Sequence, residues 1–164
     1  MDANTLREVL NDPVARRLYD TTNLARLAYS AKDGSPRVIP IGYVWDGTHF
    51  LMFTATNAAK LVSLANDPRV AITIDTDAFP PNVLLVRGTA EIEIVDGVPD
   101  EYLQTNRKNT DPEGYAEWEA GVRQLYKQMA RITITPMWAK IHDFETRLPS
   151  AVEELIQQQQ QGGS

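Results

Sequence analysis

Alternation of apolar and polar residues along most of the chain predicts short antiparallel strands joined by tight turns. Three such runs, at 23–30, 36–45 and 49–54, follow one another, with Asp33-Gly34 and Asp46-Gly47 between them. Asp-Gly supplies the backbone conformation that a tight hairpin needs. The first third of the chain therefore predicts an antiparallel meander rather than a β-α-β unit.

Three further runs, at 70–76, 82–95 and 130–141, predict three more strands. The 82–95 run is long and ends in a clean alternation of apolar and acidic residues, and Gly88 in its middle indicates a bulge or a barrel corner. The last run is interrupted at Pro136. This pattern predicts a mainly β fold with added helices, built as a six-stranded antiparallel barrel, closed or split.

Helical periodicity appears between these strands and at both ends of the chain. It predicts helices at 5–10, 13–20, 58–65, 98–107, 112–128 and 151–158. Asn57 is the predicted N-cap of the third helix. The predicted buried stripe of the fifth helix consists of Trp118, Val122, Leu125 and Met129. Residues 1–158 then form one domain, and the Gln- and Gly-rich residues 159–164 are expected to be a disordered tail.

Composition removes several classes of function. The chain has 164 residues, a net charge of −6 and no cysteine. The negative charge argues against a general nucleic-acid binder. The absence of cysteine excludes disulfides, thiolate nucleophiles and cysteine-ligated metals. No apolar run approaches the roughly 20 residues of a membrane helix, and the N-terminus lacks the apolar core of a signal peptide, so we expect a cytoplasmic protein without a membrane partner.

The sequence templates of common enzyme sites are missing. There is no nucleophile elbow, P-loop or dinucleotide fingerprint. His49 and His142 stand in strand patterns without the spacing of metal ligands. No metal site is therefore predicted, and the pattern identifies no catalytic residue.

One stretch does predict a binding site, the hydroxyl-rich turn between the third strand and the third helix. Thr54 and Thr56 lie in this turn, and Lys60 lies in the first turn of the helix. Free amides at a helix N-terminus, with hydroxyls and an ammonium beside them, form an anion site, and phosphate is the obvious anion. The alternative is an ordinary helix start with a surface lysine.

A set of short motifs runs in one order through the strands. The motifs are GSPRVIPI at 34–41, VWDG at 44–47, FT at 53–54, Lys60, Leu64, NDPRVA at 66–71 and VRGTAE at 86–91. Together they resemble the pyridoxamine 5'-phosphate oxidase-like split β-barrel family, which includes flavin- and deazaflavin-dependent oxidoreductases. The resemblance covers about 24–95. It implies a split barrel of the FMN-binding type that forms a homodimer, with the cofactor in a groove at the dimer interface.

The resemblance also implies which residues bind the cofactor. They are Arg37, Val38, Ile39, Pro40, Thr54, Ala55, Thr56, Ala59 and Lys60. By this correspondence the first four line the cofactor, and those from Thr54 onward hold its phosphate. Residues 43–45 then approach the ring or the substrate.

The cofactor implied is FMN or a deazaflavin (coenzyme F420). The acidic tail of a deazaflavin would need a basic groove, and the candidate side chains are Arg26, Lys32, Arg37 and Arg69. Two departures from pyridoxamine-phosphate oxidases argue against a vitamin B6 phosphate as substrate: the long strand begins Pro-Asn-Val at 81–83, and the C-terminus is rich in Glu and Gln. The helices inserted at 98–128 imply a different substrate wall.

The predicted function is an oxidoreductase that transfers a hydride between this cofactor and a small organic substrate. In such an enzyme the cofactor carries the chemistry, so a chain without a triad or an acid–base pair fits the role. The alternative is a non-catalytic protein of the same fold that binds flavin or haem for storage or sensing.

Overall fold

The computed structural model describes residues 1–107, 111–147 and 149–162. Its elements in chain order are α1 (Ala3–Leu10), α2 (Pro13–Thr21), β1 (Leu24–Ser30), β2 (Pro36–Trp45), β3 (Phe50–Ala55), α3 (Ala59–Asn66), β4 (Arg69–Asp75), β5 (Asn82–Asp96), α4 (Asp100–Arg107), α5 (Pro112–Leu125), β6 (Gln128–Asp143) and α6 (Ser150–Gly162).

The strands close into one antiparallel barrel in the order β1-β2-β3-β6-β5-β4. Every strand sends alternate side chains inward, and the fully buried ones include Leu27, Phe50, Ile72, Val86 and Ile132. The predicted mainly β fold with six antiparallel strands and added helices is therefore confirmed.

The barrel bends where β5 meets β6 in its middle. Arg87 pairs with Trp138, whereas the next residue, Gly88, pairs with Pro136. Met137 is therefore an extra residue, and the predicted bulge lies on β6 opposite Gly88. The predicted break at Pro136 does not occur, because a residue at a bulge need not donate to the ladder.

Helices cover both ends of the barrel. Leu10, Val14 and Leu18 of α1 and α2 pack into the core from one end, and Leu61 and Leu64 of α3 join the same core. The predicted cap of α3 is wrong, because the helix begins at Ala59 after Ala58 and has no side-chain cap. No described helix combines the length and the apolar character that crossing a membrane demands.

The helical insertion α4–α5 lies on the outer face of β3 and forms a second apolar cluster there. Trp118 and Val122 pack against this cluster, but Leu125 is 69% exposed. The predicted stripe is wrong at its end, because α5 stops at Leu125 and Met129 is buried as a residue of β6.

The last helix, α6, is longer than predicted. It extends four residues beyond 158, to Gly162, so 159–162 of the expected disordered tail are helical. The remaining two residues of that tail, 163–164, lie outside the described part of the chain.

Candidate functional site

The turn from β3 into α3 brings the predicted anion-site residues together. Lys60 Nζ donates a hydrogen bond to Thr54 Oγ1 over 3.1 Å, and both side chains are half-buried. Thr54 is the penultimate residue of β3 and Lys60 is the second residue of α3. The strand end and the helix start therefore fix an ammonium and a hydroxyl next to each other.

The donors at this turn are open to an external acceptor. No ion pair among the described residues involves Lys60. An ammonium has three N–H groups, so two remain after the bond to Thr54. Because no side chain caps α3, the amides of Ala59 and Lys60 have no capping partner, whereas the Leu61 amide donates to the Ala58 carbonyl oxygen over 3.0 Å. Thr56 and Ala59 are exposed beside them, and Ala55 is half-buried. We call this turn, 54–60, the phosphate cradle.

The other predicted group lies on β2. Arg37, Val38 and Pro40 are exposed, and 64% of the surface of Val38 is accessible to solvent. Ile39 lies between Val38 and Pro40 and packs against the barrel core, so its side chain is not offered to the outer face that those two residues share. Three of the four predicted β2 residues are therefore accessible to a ligand.

The two groups face each other across a split in the barrel. β2 and β3 pair over only three residues each, 43–45 with 50–52. Beyond these pairs β2 stays with β1, whereas β3 continues along β6 to Ala55. If the register of β2 with β3 continued beyond these three pairs, Pro40 would lie opposite Ala55. The cradle and the exposed face of β2 are thus neighbours at one opening.

A groove of about 740 Å³ opens on the outer face of β1, β2, β4 and β5. Arg37, Arg69 and Arg87 line it, and no described Asp or Glu does. Ala71 and Met137 contribute to its apolar floor. We call it the arginine groove. It presents positive charge above an apolar surface, although the whole chain carries a net charge of −6.

Local contacts hold each guanidinium of the arginine groove. Arg37 donates to Ser35 Oγ over 2.7 Å, and the Arg87 guanidinium lies 4.4 Å from the centre of the Trp138 ring. Arg69 makes a bidentate pair with Asp67, at 2.8 Å and 2.7 Å. Hydrogen bonds from Arg69 lower the pKa of the Asp67 carboxyl to about 2.

Sequence reasoning found only part of this basic surface. Of the four predicted basic residues, Arg37 and Arg69 meet in the groove, whereas Arg26 pairs with Asp75 and Lys32 is exposed in the β1–β2 loop. Arg87 was not predicted as a site residue. Arg87 lines the groove because β4 and β5 pair in a register that sets it opposite Ala71. No local sequence pattern specifies this register.

A recess of about 180 Å³ lies at the other end of β2. Its walls are residues 43–45 of β2, residues 19, 20, 22 and 23 around the end of α2, and Gln104 and Thr105 of α4. The Tyr43 hydroxyl donates to the carbonyl oxygen of Leu18 over 3.3 Å, and burial raises the pKa of both Tyr19 and Tyr43. We call it the β2–α4 recess, and α4, which forms one of its walls, belongs to the predicted helical insertion.

The two histidines lie away from these three features. His49 Nδ1 is 3.4 Å from Asp46 Oδ2 in the β2–β3 turn, and His142 stacks on Phe144 at the end of β6. Within the described ranges, no three His, Asp or Glu residues are grouped closely enough to hold a metal ion.

Comparison with known proteins identifies relatives of this chain. A family model described as pyridoxamine 5'-phosphate oxidase matches residues 12–140. No curated protein matches the chain. Among solved structures, an F420 reductase is similar with 25% identity and a TM-score of 0.57, over 76% of this chain and 94% of its own.

Two other solved structures show the same fold at lower identity. The haem storage protein HutZ from Vibrio cholerae is 17% identical, with a TM-score of 0.57, over 79% of this chain and 93% of its own. General stress protein 26 from Bacillus anthracis is 18% identical, with a TM-score of 0.57, over 82% of this chain and 96% of its own. At these identities the similarity is one of fold alone.

Proposed function

The chain belongs to the pyridoxamine 5'-phosphate oxidase family, and we propose that it is an oxidoreductase that binds FMN or a deazaflavin and transfers a hydride to or from a small organic substrate. One observation carries this proposal. The hydrogen bond between Lys60 and Thr54 holds an ammonium and a hydroxyl together at the uncapped start of α3, beside the exposed face of β2.

The donor set of the phosphate cradle fits a cofactor phosphate. A phosphate needs several donors converging on one point, and the Lys60 ammonium, the Thr56 hydroxyl and the first amides of α3 supply them. The small side chains of Ala55 and Ala59 leave room for close approach. The exposed face of β2 at Val38 and Pro40 would carry the rest of the cofactor. When bound, the cofactor supplies hydride transfer, and the chain supplies binding, orientation and exclusion of water.

The arginine groove favours a deazaflavin over FMN. FMN has one phosphate, which the cradle alone would satisfy, whereas a deazaflavin also carries an acidic tail. Arg37 belongs to both the predicted cofactor residues and the groove, so a cofactor held at the cradle could extend its carboxylates towards Arg69 and Arg87. The similarity to an F420 reductase at 25% identity supports the same choice.

We further propose that the protein works as a homodimer whose interface covers the outer face of the barrel. Val38 and Met137 keep 64% and 59% of their surface exposed on that face. Large exposed apolar patches on a soluble protein mark interaction sites. A second copy placed there would close the groove over the cofactor.

Titration with FMN and with oligoglutamylated coenzyme F420 tests the proposal. We expect coenzyme F420 to bind more tightly than FMN and Lys60→Ala to weaken cofactor binding by about 1–3 kcal/mol, the range for losing a charge-assisted hydrogen bond. Lys140→Ala, at an exposed lysine eleven residues along β6 from the Met129–Ala55 pair, is the matched control and should bind as the wild type does.

Unchanged affinity of the Lys60→Ala variant would remove the cradle from the site. A haem titration in the same series tests the non-catalytic alternative. Tight haem binding without binding of either flavin-type cofactor would favour storage over oxidoreduction.

A further inference from the structure

We propose that the cleft between α1 and the end of the barrel is a further binding site, and that it takes a small monocarboxylate with a compact apolar body. The cleft has a volume of about 260 Å³, and we call it the α1 cleft. The residues that line it belong neither to the phosphate cradle nor to the arginine groove, so the inference does not rest on the proposed function.

Three parts of the fold meet at the α1 cleft. The first is α1, which lies against β6. The second is the β2–β3 turn, with Trp45 before it, and the third is Thr135 and Pro136 of β6. Because Ile134 pairs with Phe50, the turn that precedes Phe50 lies beside these two residues of β6. The strand register and the first helix therefore form the cleft together.

The α1 cleft and the proposed cofactor face lie on opposite sides of β2. Val44 packs against the apolar cluster on the outer side, whereas the next residue, Trp45, packs against the barrel core. Val38 and Pro40 share the outer side with Val44. Pro40 and Trp45 are also about 17 Å apart at the usual rise of a strand. A ligand in the cleft would therefore not compete with a cofactor on the outer face.

Each of the three parts contributes an apolar side chain to the wall. Leu6 and Leu10 come from α1, Trp45 from β2 and Pro136 from β6. The Trp45 ring is held in place, since its centroid lies 4.6 Å from that of the buried Phe50 ring. Pockets for small molecules are typically lined in this way, with a few polar groups that fix the orientation of the ligand.

Arg7 supplies the charge of the cleft wall. It is exposed in the last turn of α1, and no ion pair among the described residues involves it. Within the part of the chain that the structure describes, no Asp, Glu, Lys or His lines the cleft. A guanidinium presents a planar fork of N–H donors that matches the two oxygens of a carboxylate. Arg7 therefore selects for an anion.

Asp46, the carboxylate that follows Trp45 in the sequence, is directed into the β2–β3 turn. Its Oδ1 accepts from the backbone N–H groups of Thr48 over 2.7 Å and of His49 over 2.6 Å. It shapes the turn and forms no ion pair with Arg7. The exposed hydroxyls of Thr48 and Thr135 also line the cleft and can donate to a bound carboxylate.

The size of the cleft limits the ligand. Its volume of about 260 Å³ exceeds the roughly 150 Å³ of an engineered cavity that holds benzene in another protein. A single ring that bears a carboxylate fits such a volume, whereas a nucleotide or a flavin is larger than the cleft. Benzoate and benzamide are therefore matched probes that share size and shape and differ in charge. Acetate is the third probe, a carboxylate without the ring.

The test follows each probe by NMR on the full-length 15N-labelled chain. We expect benzoate to shift the Trp45 indole N–H and the Arg7 Nε–H, with benzamide and acetate each binding at least tenfold more weakly. Arg7→Gln should weaken benzoate binding at least tenfold. Arg17→Gln makes the same exchange at an exposed arginine of α2 that does not line the cleft, and should bind benzoate as the wild type does.

Equal affinity for benzoate and benzamide would overturn the inference, and so would benzoate binding that persists unchanged in Arg7→Gln. Benzoate shifts confined to the arginine groove would also overturn it, because the anion would then be bound by the arginines there. A parallel cofactor titration keeps the two proposals distinguishable. Benzoate shifts at the cleft in a chain that binds neither FMN nor coenzyme F420 would support the α1 cleft and overturn the proposed function.

Discussion

Asp67 is a residue whose charge has a local and measurable consequence. Its carboxylate accepts two hydrogen bonds from Arg69 and also accepts from the Arg69 backbone N–H at 3.1 Å. These bonds favour the ionised form and lower the pKa of Asp67 from 3.8 to about 2 in the folded protein. The pair also sets the direction in which Arg69 enters the arginine groove.

The shift makes stability depend on pH in one direction. Because the folded pKa is depressed, the contribution of Asp67 is present above pH 3.8 and is lost as the pH falls towards 2. We expect Asp67→Asn to flatten the decline of urea-unfolding stability between these pH values. Identical acid limbs for wild type and variant would show that the pair with Arg69 does not persist in solution.

Local pattern brings the cradle residues together, whereas the sequence named Arg37 and Arg69 as basic candidates without showing that they meet Arg87 in one groove. Thr54 and Lys60 are six positions apart and are separated by one turn, so local pattern places them together. Arg37, Arg69 and Arg87 come from three strands, and only the strand register decides that they meet. Asn57 was a misleading signal, since α3 begins one residue later than an Asn57 cap would require.

At the scale of elements, Gly88 controls the bend of the barrel. A Cβ at this position would lie 2.2 Å from the Thr135 carbonyl oxygen, a backbone atom that cannot turn away. We expect Gly88→Ala to lower the free energy of unfolding by about 3 kcal/mol, at the upper end of overpacking effects. Chemical denaturation measures the difference.

Gly114→Ala is the matched control for this substitution. Gly114 lies in α5, and a Cβ added there meets no atom within 4 Å. Alanine should therefore leave stability unchanged or raise it by about 0.5–1 kcal/mol through helix propensity. If Gly88→Ala were as stable as Gly114→Ala, the close contact at the bulge would be contradicted.

The strands were more predictable than the helical insertion for a physical reason. Alternation and Asp-Gly turns specify each strand locally, and β2 occupies the predicted residues 36–45. The end of α5 depends instead on competition with β6, which takes residues 128 and 129 into its ladder with β5. The helical spacing of Trp118 and Val122 extends along the sequence to Met129. In the structure, however, Met129 pairs with Val95 and is therefore part of the sheet.

For the whole molecule, the decisive question is what covers the outer face of the barrel. Met137 exists as an extra residue only because of the bulge opposite Gly88, and it lies 59% exposed in the floor of the arginine groove. An isolated barrel leaves this apolar floor in water. A symmetric dimer would bury it on both copies, since a two-fold interface uses the same patch twice.

This symmetry makes the dimer sensitive to one charge at the centre of the patch. We expect Met137→Lys to raise the dissociation constant of the dimer at least a hundredfold, because each dimer would bury two new ammonium groups beside the arginines of the groove, and no described Asp or Glu lines it to compensate them. Analytical ultracentrifugation across a concentration series measures the change. Leu125→Lys, at a 69% exposed apolar residue on α5, is the control and should leave assembly unaltered. A wild-type chain that stays monomeric, or a Met137→Lys chain that dimerises normally, would mean that this face is not the interface. The cofactor would then have to bind to the cradle and to the exposed face of β2 of a single copy.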